Sequence, residues 1–255
     1  TILLIVLMFA SGGTFAQGAQ PDHAPYTRLL QSYVSEPGRE DGLTRVDYDA
    51  WRDNAADRAA LDAYIEHLEG VAVSALPQDE AFAYWANLYN AVTVKLILDE
   101  NPSRSIRQIR PTLLSIGPWG VERVTVEGQP LSLDNIEHDI MRVEFPEPAL
   151  VHYAVNCASI GCPNLQREAW TAEGLDARLR EAARAYVNSP RGVRVTDRGL
   201  VVSSIYQWFK VDFGGDDDGV IAHLLRYAEP DLAAQIRDNP RIRGNEYDWD
   251  LNRPE

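Results

Sequence analysis

The sequence is short of the features that announce common functions. It has only two cysteines in 255 residues, too few for a disulfide-dense scaffold, yet a chain of this length buries a core without such help. Basic residues are scarce, with 24 Lys and Arg against 38 Asp and Glu and a net charge of -14. Phosphate backbones and anionic lipid surfaces reward clustered Lys and Arg, so no nucleic acid is expected as a partner. No glycine-rich loop joins a strand to a helix, so nothing indicates a nucleotide and no cofactor is implied. No internal repeat or low-complexity linker divides the chain, which reads as a single globular domain over residues 21–255.

The first apolar run, Ile2 to Ala10, is too short for a membrane span. It gives way to small residues in which Thr14 and Ala16 fit a cleavage site, so residues 1–20 read as a signal peptide. Neither a methionine nor a basic region precedes the run, and the peptide is expected to be truncated at its N-terminus. The expected product is a periplasmic or secreted protein, not stably inserted in the membrane, that acts on a small molecule or a peptide.

Periodicity gives the elements. Leu29, Leu30, Tyr33 and Val34, then Trp51, Leu61, Tyr64, Ile65 and Leu68, recur at helical spacing. From Ala81 to Leu98 the chain is apolar nearly all round, which predicts a central helix buried on most sides. "VERVTVEGQPLSL" alternates like a hairpin around Glu127-Gly128, and "VRVTDRGLVVS" predicts a second hairpin turning near Asp197 to Gly199. "SLDNIEHDIMRV" predicts a short helix capped by Ser132 or Asp134, with Leu133, Ile136, Ile140 and Val143 as its core stripe. "ALVHYAVN" reads as a strand, and "AEGLDARLREAARAYVN" and "SSIYQWFKVDF" as helices. The sum is an α+β class: a helix-rich domain with a buried central helix packed on a small, mostly antiparallel sheet.

Several polar residues invite a chemical reading. Asn87 and Asn90 lie one turn apart on an apolar face of the central helix, where a buried amide must be bonded to something specific. They either tie a neighbouring segment to the helix or point into a pocket as a substrate clamp or oxyanion donor. Glu137 sits at the edge of its helix's core stripe and suits a half-buried carboxylate that orients another group, unless Arg142 neutralises it. His138 lies nearly opposite the stripe, either exposed or on a cleft wall.

Both cysteines fall in "VHYAVNCASIGCPNL", where a strand would point His152 and Cys157 to opposite faces. They meet only if the chain breaks after Asn156, as the composition of "CASIGCP" allows. Several readings stand side by side: a Cys157–Cys162 disulfide, a Cys157 nucleophile with His152 or His138 as base, zinc on the C-x4-C pair, or two inert buried thiols. Zinc is the weak one, because no second close pair accompanies the first, and no metal is assigned. "DFGGDDDG", residues 212–219, lacks the ligand spacing of an EF-hand and reads as a solvated acidic loop. Trp208, Phe209 and Phe213 read as core rather than as a ligand platform.

"AFAYWANLYNAVTVKLIL", "LSLDNIEHDIMR", "VHYAVNCASIGCPNL", "YQWFKVDF" and "YDWDLN", in this order, resemble the domain-of-unknown-function family 547, often exported in bacteria. The resemblance spans Val46 to Asn252. Its pattern includes asparagines at Asn87 and Asn90, a Glu-His pair at Glu137 and His138, a histidine at His152 and cysteines at Cys157 and Cys162. A polar set spread over several elements looks like a site, and implies a cysteine-dependent hydrolase or acyl transferase in which Cys157, His152, Glu137 and His138 are catalytic and Asn87, Asn90 and Arg142 meet substrate. The alternative is a non-catalytic periplasmic binding or interaction domain stapled by the disulfide. The architecture is also similar to papain-like and transglutaminase-like folds, in which the nucleophile starts the buried helix.

Overall fold

A computed structural model describes residues 21–112 and 115–254. The expected signal peptide, residues 1–20, lies outside the described residues. Three helices open the domain: α1 (Ala24–Tyr33), α2 (Tyr48–Asp53) and α3 (Ala55–Glu69). The start of α2 is fixed by Asp47, whose carboxylate accepts from the Ala50 N–H, and that of α3 by Asn54, which accepts from Ala56 and Asp57. The central helix α4 (Gln78–Glu100) carries Asp79 and Glu80 in its first turn, favourable to its dipole, and stops at Asn101 in the left-handed region at φ 45°.

Nearly every side chain of α4 from Phe82 to Leu98 is buried. Its principal neighbours are helices: α2, α3 and the π-helical segment described below. The sheets add Val124, Val126, Val193, Leu200 and Val202 to this core. One is the hairpin β1 (Glu122–Val126) and β2 (Gln129–Ser132), turned by Glu127 and Gly128 with φ of 49° and 79°. Two consecutive positive φ values make the turn whose twist matches the paired strands, and the glycine carries no penalty there. The other sheet pairs β3 (Val193–Thr196) antiparallel to β4 (Gly199–Ser203), as expected, and adds β5 (Ile242–Glu246) parallel to β4, which the sequence pattern did not indicate. The fold is α+β, dominated by helix.

Two segments differ from the sequence reading in ways that shape the site. Residues Asn135–Met141 form a π-helix, running into a short α5 (Arg142–Glu144), and the Arg142 N–H donates to Glu137 O five residues back. The Ser132 hydroxyl accepts from Asn135 N at 3.1 Å and starts the helix. The i to i+5 pattern changes which side chains share a face. Ile136 and Met141 are both fully buried, whereas Val143, expected in the core stripe, is 72% exposed.

The expected strand at "ALVHYAVN" is instead helix α6 (Pro148–Ala154). Pro148 occupies the first turn, where its missing N–H is no loss. The run is apolar on all sides because α6 packs against α7 (Leu175–Val187), the π-helix and the turn at Lys210–Phe213. Period alone does not separate a short buried helix from a buried strand. Helices α8 (Ser204–Trp208), α9 (Asp217–Tyr227) and α10 (Pro230–Asp238) complete the described fold.

The π-helical register has a direct test. Met141→Ala is expected to cost about 2–5 kcal/mol by urea unfolding, as a buried truncation does, and Val143→Ala less than about 0.5 kcal/mol. Comparable losses at both positions would indicate an α-helical register.

Candidate active site

The end of α6 is held by α4. Asn90 Nδ2 donates to Ala154 O (2.8 Å), and Asn90 Oδ1 accepts from Asn156 N (2.8 Å). Trp170 Nε1 donates to the same Ala154 carbonyl at 3.1 Å. Asn87 does the equivalent one turn earlier, exchanging two hydrogen bonds with the backbone of Trp170 (2.8 and 2.9 Å). Both amides are therefore fully buried anchors, and neither lines a cavity among those found. They join segments distant in sequence to the central helix, the first of the two roles their pattern allowed.

Asn156 then shapes the cysteine loop. Its Oδ1 accepts from Ala158 N (2.8 Å) and its Nδ2 donates to Pro163 O (2.7 Å), so one side chain brackets both ends of the turn. Ala158, between the sulfurs, has φ 62° and is completely buried. A non-glycine residue persists in that region only where its surroundings over-determine it. The far side of the loop lies on the C-terminal segment: Ile160 N donates to Asp250 O and Gly161 N to Asp248 O, both at 2.8 Å. A Cβ at Gly161 would meet Asp248 backbone atoms at 2.9 Å, so only glycine fits this approach.

That clamp brings Tyr247 onto both sulfurs. Its hydroxyl is 2.9 Å from Cys162 Sγ and 3.1 Å from Cys157 Sγ. The two cysteines are free thiols. The sulfurs are not equivalent, because the Cys157 backbone N–H donates to Cys162 Sγ at 3.0 Å. Burial would raise the Cys162 thiol, but hydrogen bonds from Cys157 and Tyr247 and from the loop backbone outweigh it and hold the thiol below its ordinary value. The hydrogen bond to Cys162, with burial second, pushes Cys157 well above its ordinary value. Of the two sulfurs, Cys162 is therefore the one at which negative charge is favoured, and Cys157 the one that keeps its proton.

A chain of four ionisable groups, His152 buried and Glu137, Asp212 and Arg142 partly buried, stands on the neighbouring elements. His152, on the last turn of α6, places Nε2 2.7 Å from Asp212 Oδ2 and Nδ1 3.5 Å from Glu137 Oε1. Arg142 grips Asp212 with two bonds, Nε to Oδ2 at 2.6 Å and Nη2 to Oδ1 at 3.1 Å. Phe209 stacks on the His152 ring, 4.4 Å between centroids, and the Arg142 guanidinium lies over the Phe209 ring, 4.7 Å from its centroid. Burial disfavours the charged imidazole, but hydrogen bonding and attraction from Asp212 and Glu137 prevail and raise its pKa. By the same balance, burial opposed by His152, Glu137 is lowered, and Asp212, held by His152 and Arg142, falls to about 2. Two anions and two cations leave the chain neutral overall.

The thiols, Glu137, His138 and His152 meet at one cavity of about 200 Å³. Most of its remaining wall is aromatic, Tyr89, Trp119, Trp208, Phe209, Tyr247 and Trp249, and Asp134 adds a carboxylate 3.8 Å from His138 Nε2. Trp208, Tyr247 and Trp249 pack on each other with centroids 4.5 to 5.6 Å apart. Trp208 and Phe209, expected in the core, thus face the cavity, and Trp208 is half exposed; Phe213 is core. Arg142 meets Asp212 rather than Glu137. Both nitrogens of His152 are engaged by carboxylates, and His138 is the other imidazole of the wall, its Nδ1 3.4 Å from Arg142 Nη1.

Asp212 was expected in a solvated loop. It is separate from the rest of that acidic run: Asp216 caps α9 by accepting from Gly219 N, and Asp217 pairs with Lys210 in the open. Its preceding aromatic residues, "WFKVDF", were the available signal that the first aspartate turns inward. Tyr247 and Asn156 carried no signal beyond their place in motifs.

Residues 73–187 match the family model described as "Protein of unknown function, DUF547". Over that segment, less than half of the 255 residues, the chain is similar to the DUF547 family. No curated protein and no solved structure matches it. The DUF547 segment supplies Glu137, His138, His152 and both cysteines, whereas Asp212, Phe209, Tyr247 and Trp249 come from beyond it. In this chain the buried helix begins Gln78-Asp79-Glu80, and the sulfurs come from the loop after α6. That is a different placement from the papain-like and transglutaminase-like arrangement.

The ion chain sets a pH signature. With its pKa raised above 6.5, His152 contributes stability that is complete below that value and lost as pH rises through its folded pKa. Asp212, lowered from 3.8, contributes stability present above 3.8 and lost as pH falls through about 2. Asp212→Asn is expected to move the His152 NMR titration downward and to cost about 3–5 kcal/mol in urea, as breaking a buried pair does. An unmoved titration would refute the assignment.

Proposed function

We propose that the chain is an exported thiol-dependent hydrolase or acyl transferase acting on a small molecule or peptide group in the aromatic cavity. The observation that carries this reading is the donor set around Cys162 Sγ, on a cavity that also presents an imidazole, His138. A sulfur that accepts from a backbone N–H and touches a phenol is favoured in its charged, nucleophilic form. Export rests on the apolar start of the sequence.

The sequence pattern favoured Cys157 as nucleophile; the hydrogen bonds favour Cys162. In the proposed step the Cys162 thiolate adds to an acyl carbonyl carbon, a C–S bond forms, and the bond to the leaving group breaks. The leaving group takes its proton from His138, which first received it from the Cys162 thiol. Water, or an acceptor nucleophile, then attacks the thioester, gives its proton to His138 and releases the thiolate. Both nitrogens of His152 already have partners, so it acts as a fixed charge that positions Glu137 and the wall beside it.

The test uses p-nitrophenyl acetate and a simple aryl thioester as probes, with intact-mass and peptide mapping. The expected result is an acyl adduct on Cys162 that Cys162→Ser abolishes. His138→Gln slows its turnover by about 10²–10⁴, the usual range for a lost acid–base group. An adduct confined to Cys157, or none with either probe, would remove the support for this mechanism.

A further inference from the structure

An acyl-transfer nucleophile has no need of a second thiol hydrogen-bonded to it. Here the second thiol is present, protonated and held: the Asn156 amide brackets the turn that carries both cysteines, and one phenol touches both sulfurs. Cys157 is also the more exposed of the two. The loop between them is fixed from outside by the Asp248 and Asp250 backbone and by Tyr186, whose hydroxyl donates to Gly161 O at 2.6 Å. Arg191 adds a cation on the same side, its Nη1 donating to the carbonyls of Ile160 and Cys162. A sulfur contacted by a backbone N–H and a phenol, a second thiol beside it, and an aromatic cavity next to both make a complete set for thiol–disulfide exchange.

We infer that Cys157 and Cys162 form a dithiol–disulfide couple that reduces disulfide-containing substrates admitted to the aromatic cavity, an activity independent of acyl transfer. The Cys162 thiolate attacks one sulfur of the substrate disulfide, forming a mixed disulfide and releasing the other sulfur as a thiolate. Cys157 then loses its proton to that leaving thiolate or to water and attacks Cys162 Sγ. The mixed disulfide breaks, the second substrate thiolate leaves, and the protein holds a Cys157–Cys162 disulfide. Two electrons have passed from the protein dithiol to the substrate disulfide. A thiol reductant entering the same cavity reverses the sequence.

The roles are asymmetric. Tyr247 and the Cys157 N–H stabilise sulfur charge at Cys162, where attack begins and where the charge returns when the intramolecular bond is reduced. The rings of Trp208, Tyr247 and Trp249 offer the flat, polarisable surface that divalent sulfur favours.

The experiment uses the full chain, reduced and freed of reductant, with oxidised glutathione as probe and peptide mapping after acid quench. The wild type is expected to end as the intramolecular disulfide with both halves of the probe released. Cys157→Ser is expected to stop at a stable glutathione adduct on Cys162, and Cys162→Ser to react far more slowly. Tyr247→Phe is expected to slow the first step roughly tenfold at neutral pH, the effect of one hydrogen bond to a charged sulfur. A persistent adduct on Cys157 in the wild type, or no internal disulfide once glutathione has reacted, would overturn the inference. Running the acyl probes on the same variants separates the two activities, since exchange without acylation leaves this inference standing and refutes only the acyl reading.

Discussion

The two hydrogen bonds from Asn90 to the backbone of Ala154 and Asn156 are the constraint on which the site depends. They satisfy a carbonyl at the end of α6 and an N–H just past it, where a helix of seven residues has few internal bonds of its own. Because Asn90 belongs to the most buried helix in the domain, the end of α6 is fixed relative to the core. His152 stands two residues before this anchor and Cys157 three residues after Ala154. The ion chain and the thiol loop are thus both measured from one amide, and the amide is itself satisfied only because both are in place.

Burying four ionisable groups in a row is costly, and breaking any link leaves a charge without its partner. The arrangement is tolerable because each charged group touches opposite charge: Glu137 meets His152, His152 meets Asp212, and Asp212 meets Arg142. Its consequence for chemistry is rigidity. An imidazolium gripped by carboxylates on both nitrogens and stacked on Phe209 does not turn toward a sulfur. Of the two imidazoles on the cavity, His138 is the accessible one, its side chain a third exposed.

Much of this was legible in the sequence and some was not, for identifiable reasons. The central helix was plain because its apolar run is long and bounded by acidic and Asn-Pro signals, and both hairpins because their turns carry glycine at the right place. The α6 segment was misread because a short, fully buried run has no polar face to reveal its period. The π-helix was not legible: nothing in "NIEHDIM" marks a shift from four to five residues per hydrogen bond, so Val143 was given a place that Met141 occupies. Asp212 was hidden by its company, a run of acidic residues that are indeed in solvent. The cysteines, His152, Glu137 and His138 were singled out by type and clustering, which names the participants but not which atom faces which.

The recognised DUF547 segment ends at residue 187, yet the chemistry assembled around it does not. Its histidine finds one of two carboxylates at 212, its sulfurs find their phenol at 247, and its cysteine loop leans on backbone at 248 and 250. The portion of the chain by which relatives are recognised is therefore smaller than the portion that folds and operates as a unit. A truncated segment would carry every motif cysteine and histidine and still present them in the wrong electrostatic setting. Inventories drawn only to the recognised boundary would count the cysteines and histidines and omit the carboxylate and the phenol they touch.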